Sequence, residues 1–233
     1  MNDVNQPEQP PRSTAEIHVH LPPLSVAEEL VNSLTHGLGL LLTVIGAVVL
    51  LSQPTLYSDA RRAIGCSIYL ATLVTVYFAS TLSHAVFAPR WRRFFRTLDQ
   101  ASIYLLIVGT YTPLALEYLR SGWWSALFLL MWTAAIVGFV SKLFWSHRID
   151  SVAIWTYLLL AWIPILPAPA YIPLVPVAAL RGVVIGGLCY TAGTIFLMLD
   201  RRHLHFHAIW HLFVIAGSAC HFWVVFWYVA RAA

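Results

Sequence analysis

Charged residues punctuate this chain so regularly that its elements can be read from the stretches between them. Charge-free windows run from Leu30 to Ser58, Ala63 to Pro89, Gln100 to Leu116, Ser121 to Ser141, Ser151 to Leu180, Gly182 to Leu199 and His203 to Ala230. A helix needs roughly 20 apolar residues to cross the hydrocarbon of a bilayer, so these windows read as spans. The fifth window is broken by Pro164, Pro167, Pro169, Pro173 and Pro176, which cannot all lie inside one helix. Helix five therefore ends near Leu166, and helix six starts near Leu174 and runs through Arg181 to Leu199. The pattern predicts an all-α, seven-transmembrane helix bundle with helices at about 29–52, 61–87, 98–118, 123–143, 150–166, 174–199 and 206–230. A polar, proline-bearing stretch over 1–27 precedes this membrane domain of 28–233 and reads as a disordered cytoplasmic tail. It has neither the basic start nor the apolar core of a cleavable signal, so the first helix is expected to act as its own insertion signal.

Composition supports a lipid solvent. Apolar residues make up 59% of the chain, charged residues only 10%, and the mean hydropathy is +0.73. Soluble domains carry about 25% charged residues, and a core of this size cannot hide so much apolar surface. Membrane β-barrels, with short alternating strands, do not fit continuous apolar runs. The net charge of +4 is not organised as a basic stripe on a soluble face, which excludes a nucleic-acid partner. Cys66, Cys189 and Cys220 all fall in apolar segments without CxxC spacing and read as packing residues.

Orientation follows from the bias of Lys and Arg between loops. On the side of the N-terminal tail stand Arg12, Arg90, Arg92, Arg93, Arg96, Lys142, Arg148, Arg201 and Arg202, against Arg61, Arg62, Arg120, Arg181 and Arg231 on the other. The larger set predicts an N-terminus in the cytoplasm and a C-terminus outside.

With that topology, the ionisable residues inside the spans can be placed by depth, and each is a functional candidate because burying it in a membrane is costly. His84 falls near the cytoplasmic end of helix two, with Ser80 one turn earlier. Asp99 opens helix three, His207 and His211 open helix seven, and Glu28, Glu29, Asn32 and His36 open helix one. All lie at one membrane face. His207 and His211 project from one helix face, the spacing by which a helix offers two imidazoles to a metal. A third from His84 leaves a fourth position open for water, the arrangement of catalytic zinc. Asp99 is then the candidate general base and Ser80 a donor to a developing oxyanion. The competing reading is polar helix packing. That reading is preferred for His221, which lies about 21 Å further along helix seven than His207. His203 and His205 read as loop residues, and His18, His20 and His147 as solvated. His36 is equally consistent with support of the site or with packing, and Glu28 and Glu29 read as interfacial.

Four blocks carry a resemblance: EELVNSLTHGLG in helix one, the S-x-x-x-H of Ser80–His84, LDQASIYLLIVGTYTP from Leu98, and HAIWHLFVIAGSACHF from His207. Together they resemble the bacterial hemolysin III family of the progestin and adipoQ receptor superfamily, which is related to the alkaline ceramidases. The resemblance implies a multi-pass protein of the bacterial inner membrane. It implies zinc ligands at His84, His207 and His211, with Asp99 acting through a water and Ser80 adjacent, at the cytoplasmic face. The segment between His84 and Asp99 reads as a compact loop. The leading functional expectation is a zinc-dependent hydrolase of a lipid amide or ester, with a membrane lipid as substrate or ligand. The alternative is a non-enzymatic membrane sensor, receptor-like, whose zinc is structural. A haem-binding cytochrome is a third reading. A retinal protein is excluded, because the one lysine, Lys142, ends helix four and helix seven offers no amine.

Overall fold

The computed structural model describes residues 25–119, 122–145, 150–166, 171–200 and 203–232, and among these the secondary structure is entirely helical. Seven α-helices follow in order: α1 (Val26–Leu51), α2 (Ala60–Ala85), α3 (Pro89–Tyr118), α4 (Trp123–Trp145), α5 (Asp150–Trp162), α6 (Val177–Leu199) and α7 (Phe206–Val225). The last continues into a π-helical turn over Phe226–Ala230. Five of them, α1, α2, α4, α6 and α7 with its extension, are long and apolar enough to cross a membrane. α3 has 30 residues but opens with four arginines, and α5 has 13, prolonged by a 3₁₀ turn over Ile163–Ile165. Most of the expected tail lies outside the described residues, with Arg12, His18 and His20. So do Arg120, His147, Arg148, Pro167, Pro169, Arg201 and Arg202.

Local chemistry explains where the helix ends differ from expectation. α1 starts earlier because Ser25 forms a capping box: its hydroxyl accepts from the Glu28 amide at 3.2 Å while the Glu28 carboxylate accepts from the Ser25 amide at 2.9 Å. α6 starts later, at Val177, behind Pro176 at its N-cap. The compact loop expected between His84 and Asp99 is mostly helix. Pro89 opens α3 at a position where its missing N–H costs nothing, and the chain stays helical through the arginine cluster. A charge-free window could not reveal this, because Arg92 and Arg96 sit one turn apart and find a buried partner instead of marking a loop.

The bundle has a hydrophobic core of its own, and it also exposes many large apolar side chains on its outside. On α1 the buried face carries Glu29, Asn32, His36, Gly39 and Thr43, whereas Leu34, Leu38, Leu41, Ile45 and Val48 are all exposed. That inverts the amphipathic pattern of a soluble helix and suits a lipid solvent. Successive helices pack on one another, and α7 returns onto α1 to close the bundle. Close approach depends on small residues: a Cβ at Gly109 of α3 would stand 2.3 Å from Thr72 Oγ1 of α2, and one at Gly186 of α6 would stand 2.4 Å from His221 Nε2 of α7. The end of the bundle away from the histidines is tied by Arg62, whose guanidinium meets the Glu117 carboxylate at 2.9 and 3.0 Å. There Thr55 also donates to the Ala230 carbonyl at 2.6 Å.

Candidate metal centre

At the opposite end, α2 finishes with His84 and α7 opens with His207 and His211. The i, i+4 spacing on α7 stacks two imidazoles on its inner face, and the antiparallel course of α2 brings the third to the same level. One ring nitrogen from each of the three lies within 4.8 Å of the other two. The ring centroids are 4.6 to 5.3 Å apart. His84 and His211 are buried and His207 is half-buried.

Each ring also has a second polar neighbour. His84 Nδ1 stands 2.7 Å from Glu29 Oε2, His207 Nδ1 2.9 Å from Asp200 Oδ2, and His211 Nδ1 3.0 Å from Thr35 Oγ1. The expectation that Glu29 is interfacial is therefore corrected. It is 2% exposed, and its other oxygen is gripped by Arg92 and, at 3.0 Å, by Arg96. Burial of the carboxylate is tolerable because two guanidinium groups and an imidazole surround it. Glu28, by contrast, stays at the surface in the capping box. Sequence reasoning missed both Glu29 and Asp200 as neighbours of the cluster. The signal for Glu29 was present: Glu29, Asn32 and His36 share one face of an otherwise apolar helix.

His36 stacks on His211 with ring centroids 3.6 Å apart. It is buried, and neither of its nitrogens has a hydrogen-bond partner among the described residues. Ser80 is buried with its hydroxyl beside Asp99, and it too makes no hydrogen bond of ordinary geometry there. These orphaned atoms face a cavity of about 590 Å³ that Asp99, His207, His211 and the buried Lys142 also line. Asp99 is thus in the chamber but outside the three-nitrogen cluster itself. The donor chemistry suits a metal: imidazoles are ligands for zinc, copper, iron and nickel, and unsatisfied polar atoms in a roomy chamber suit water around an ion.

The remaining histidines fall elsewhere. His221 lies far along α7 and donates from Nε2 to the Val183 carbonyl at 3.1 Å, a contact between helices. His203 and His205 are exposed in the turn before α7, with His205 in the left-handed region at φ 65°.

Deeper in the bundle the chamber adjoins a second cavity of about 130 Å³, the two sharing Leu106, Tyr157, Tyr190, Leu197 and Trp210 as walls. A third, of about 80 Å³, continues from it past Tyr111, Pro164, Tyr171 and Val183. The large cavity thus has His36, His207, His211 and Asp99 in its lining, and the two smaller ones are lined mostly by apolar and aromatic residues.

These features define a helical membrane protein with a histidine cluster, two of whose imidazoles line a large cavity at one end of the bundle. The haemolysin-III-related family matches residues 24–222, and the chain belongs to that family. It is 33% identical to Hemolysin-3 of Bacillus cereus over 210 residues, covering 89% of this chain and 94% of that protein. It is 31% identical to the Hemolysin-3 homolog of Bacillus subtilis (strain 168) over 207 residues, covering 89% and 97%. The human monocyte to macrophage differentiation factor is 26% identical over 213 residues, covering 88% and 86%, which extends the likeness to the progestin and adipoQ receptor superfamily. No solved structure matches the chain.

Proposed function

We propose that the chain is a zinc-dependent hydrolase of an amide or ester bond in a membrane lipid. It would cross the membrane seven times, with its N-terminus in the cytoplasm and its zinc site at the cytoplasmic face. The observation that carries this reading is the placement of the cavities: the one lined by His207, His211, Asp99 and Ser80 shares walls with smaller, mostly apolar pockets of a kind that takes an acyl chain. A structural clamp has no need of such a chamber.

His84, His207 and His211 would hold the zinc, which when bound supplies a Lewis acid and acidifies a water near neutral pH. Asp99 would orient the attacking water and take its proton on a carboxylate oxygen, then return it to the leaving amine or alcohol. Ser80 would donate its hydroxyl hydrogen to the scissile carbonyl oxygen as negative charge grows there. Apolar walls from Leu106 to Trp210 would hold the acyl chain and keep bulk water from the reacting carbonyl.

A sensor with structural zinc is the second reading, favoured by one observation: the cluster joins α2 to α7, so an ion there would fasten two helices. Asp99→Asn separates the two. Asparagine still hydrogen-bonds a water but cannot accept its proton. The variant should keep its zinc and lose release of fatty acid from ceramide-like and acylated lipids by about 10²-fold or more, while Ser80→Ala costs less. Full activity in zinc-loaded Asp99→Asn would remove the general-base role.

A further inference from the structure

The three contacts at imidazole Nδ1 atoms have a common chemical consequence. We propose that Glu29, Asp200 and Thr35 are positioning residues that fix all three imidazoles in one tautomer, hydrogen on Nδ1, so that three Nε2 lone pairs converge on a single cation. This rests on the zinc reading of the site and deepens it.

The tautomer follows from what each partner can do. An ionised carboxylate only accepts, so His84 Nδ1, at 2.7 Å from Glu29, and His207 Nδ1, at 2.9 Å from Asp200, must carry hydrogen. For His211 the partner is a hydroxyl, which can act either way. Thr35, however, lies within hydrogen-bond distance of the Val31 and Asn32 carbonyls at 3.0 and 2.9 Å, and its one hydrogen is committed to that backbone. It therefore accepts from His211 at 3.0 Å, and the Asn32 carbonyl, also an acceptor, faces the same ring. Three different residue types on two helices thus impose the same protonation pattern. Neutral imidazoles left to themselves interconvert between tautomers, and any ring with hydrogen on Nε2 would present a donor to the cation instead of a lone pair.

Charge adds to geometry. An ion bound by three neutral imidazoles keeps its full positive charge in a buried site, and a carboxylate behind a ring makes that ring a better donor to it. Glu29 is held for this task from the other side. Arg92 and Arg96 engage Oε1, leaving Oε2 directed at His84. Two arginines of the Arg90–Arg96 cluster are thereby linked, through one buried carboxylate, to a candidate ligand.

The alternative role for Glu29 is a clamp between α1 and α3, and the two roles predict different measurements. The test uses full-length protein in detergent micelles. Zinc dissociation constants are read by chelator competition, the visible spectrum of the cobalt-substituted site by absorbance, and the thermal midpoint on metal-free protein. In Glu29→Gln and Asp200→Asn the dissociation constant should rise 10- to 100-fold, as partners behind metal-bound histidines generally cost when removed. The cobalt band should change, and the metal-free midpoint should stay near that of the wild type. Thr35→Val should weaken zinc less, since the Asn32 carbonyl remains. A lowered midpoint with wild-type affinity and spectrum would make Glu29 a clamp and overturn the proposal. Should Glu29→Gln not fold, Asp200→Asn decides alone, because Asp200 sits at the partly exposed end of α6. Tight zinc in the wild type with unchanged affinity in both variants overturns this inference only, whereas no zinc in the wild type overturns the metal reading as well.

Discussion

Three imidazoles on two helices act as one unit only if each is needed, and the neighbours of the cluster supply the controls. Replacing His84, His207 or His211 by alanine should each remove most of the zinc from the purified protein, read as metal per chain by elemental analysis. His221→Ala should leave the zinc in place. Its ring is bonded to the Val183 carbonyl, well away from the cluster along the same helix. Equal loss from His221→Ala would mean that the substitutions act through misfolding. At this scale the sequence was readable where spacing carries chemistry. His207 and His211 declared themselves by their four-residue interval, and depth in the membrane added His84, Ser80 and Asp99. It was less readable where meaning depends on a partner far along the chain. Glu29 beside Glu28 looks like any acidic helix start until Arg92, Arg96 and His84 fold around it. Asp200 looked like the end of a span, and no local pattern announces its contact with His207 seven residues on.

Helices in lipid gain little from apolar contact with one another, so their association rests on close packing and interhelical hydrogen bonds. α6 and α7 illustrate this at Gly186, where the absent Cβ leaves room for the His221 ring and lets it reach Val183. Gly186→Ala would push a methyl to 2.4 Å from Nε2 and force the ring away from its acceptor. The expected cost is about 1–3 kcal/mol, the usual range for overpacking a filled interior, measured as a lower thermal midpoint in detergent. Zinc content should be unaffected, since the change lies near the middle of α6 and far from the imidazoles. An unchanged midpoint would show that the helices part there without penalty. Element boundaries were legible from charge-free runs wherever charge marks a loop, as at Asp59 before α2 or Asp150 at the start of α5. They failed at α3, because charges that find partners can sit inside a helix: Arg92 and Arg96 both meet the buried Glu29 within a helix that starts at Pro89.

For the whole molecule, the class was legible because composition alone demands lipid, and the inverted polarity of α1 is how that demand appears in three dimensions. The cavity system was not legible, since no local pattern encodes the space that seven helices leave between them. Its direction in the membrane matters for function. A reporter in the Arg90–Arg96 segment should read as cytoplasmic and one fused after Ala233 as external, following the excess of basic residues on the first side. Reversal of both would move the histidine cluster to the outer face and end the cytoplasmic reading.

The most direct test of the account is fatty-acid release from a panel of ceramide-like and acylated lipids by the wild-type protein in reconstituted membranes, before metal removal, after it, and after zinc is restored. The zinc hydrolase predicts turnover that disappears with the metal, returns with zinc, and tracks the zinc content of the same samples. No turnover on any lipid by protein carrying one zinc per chain would contradict it and leave the structural-zinc sensor in its place.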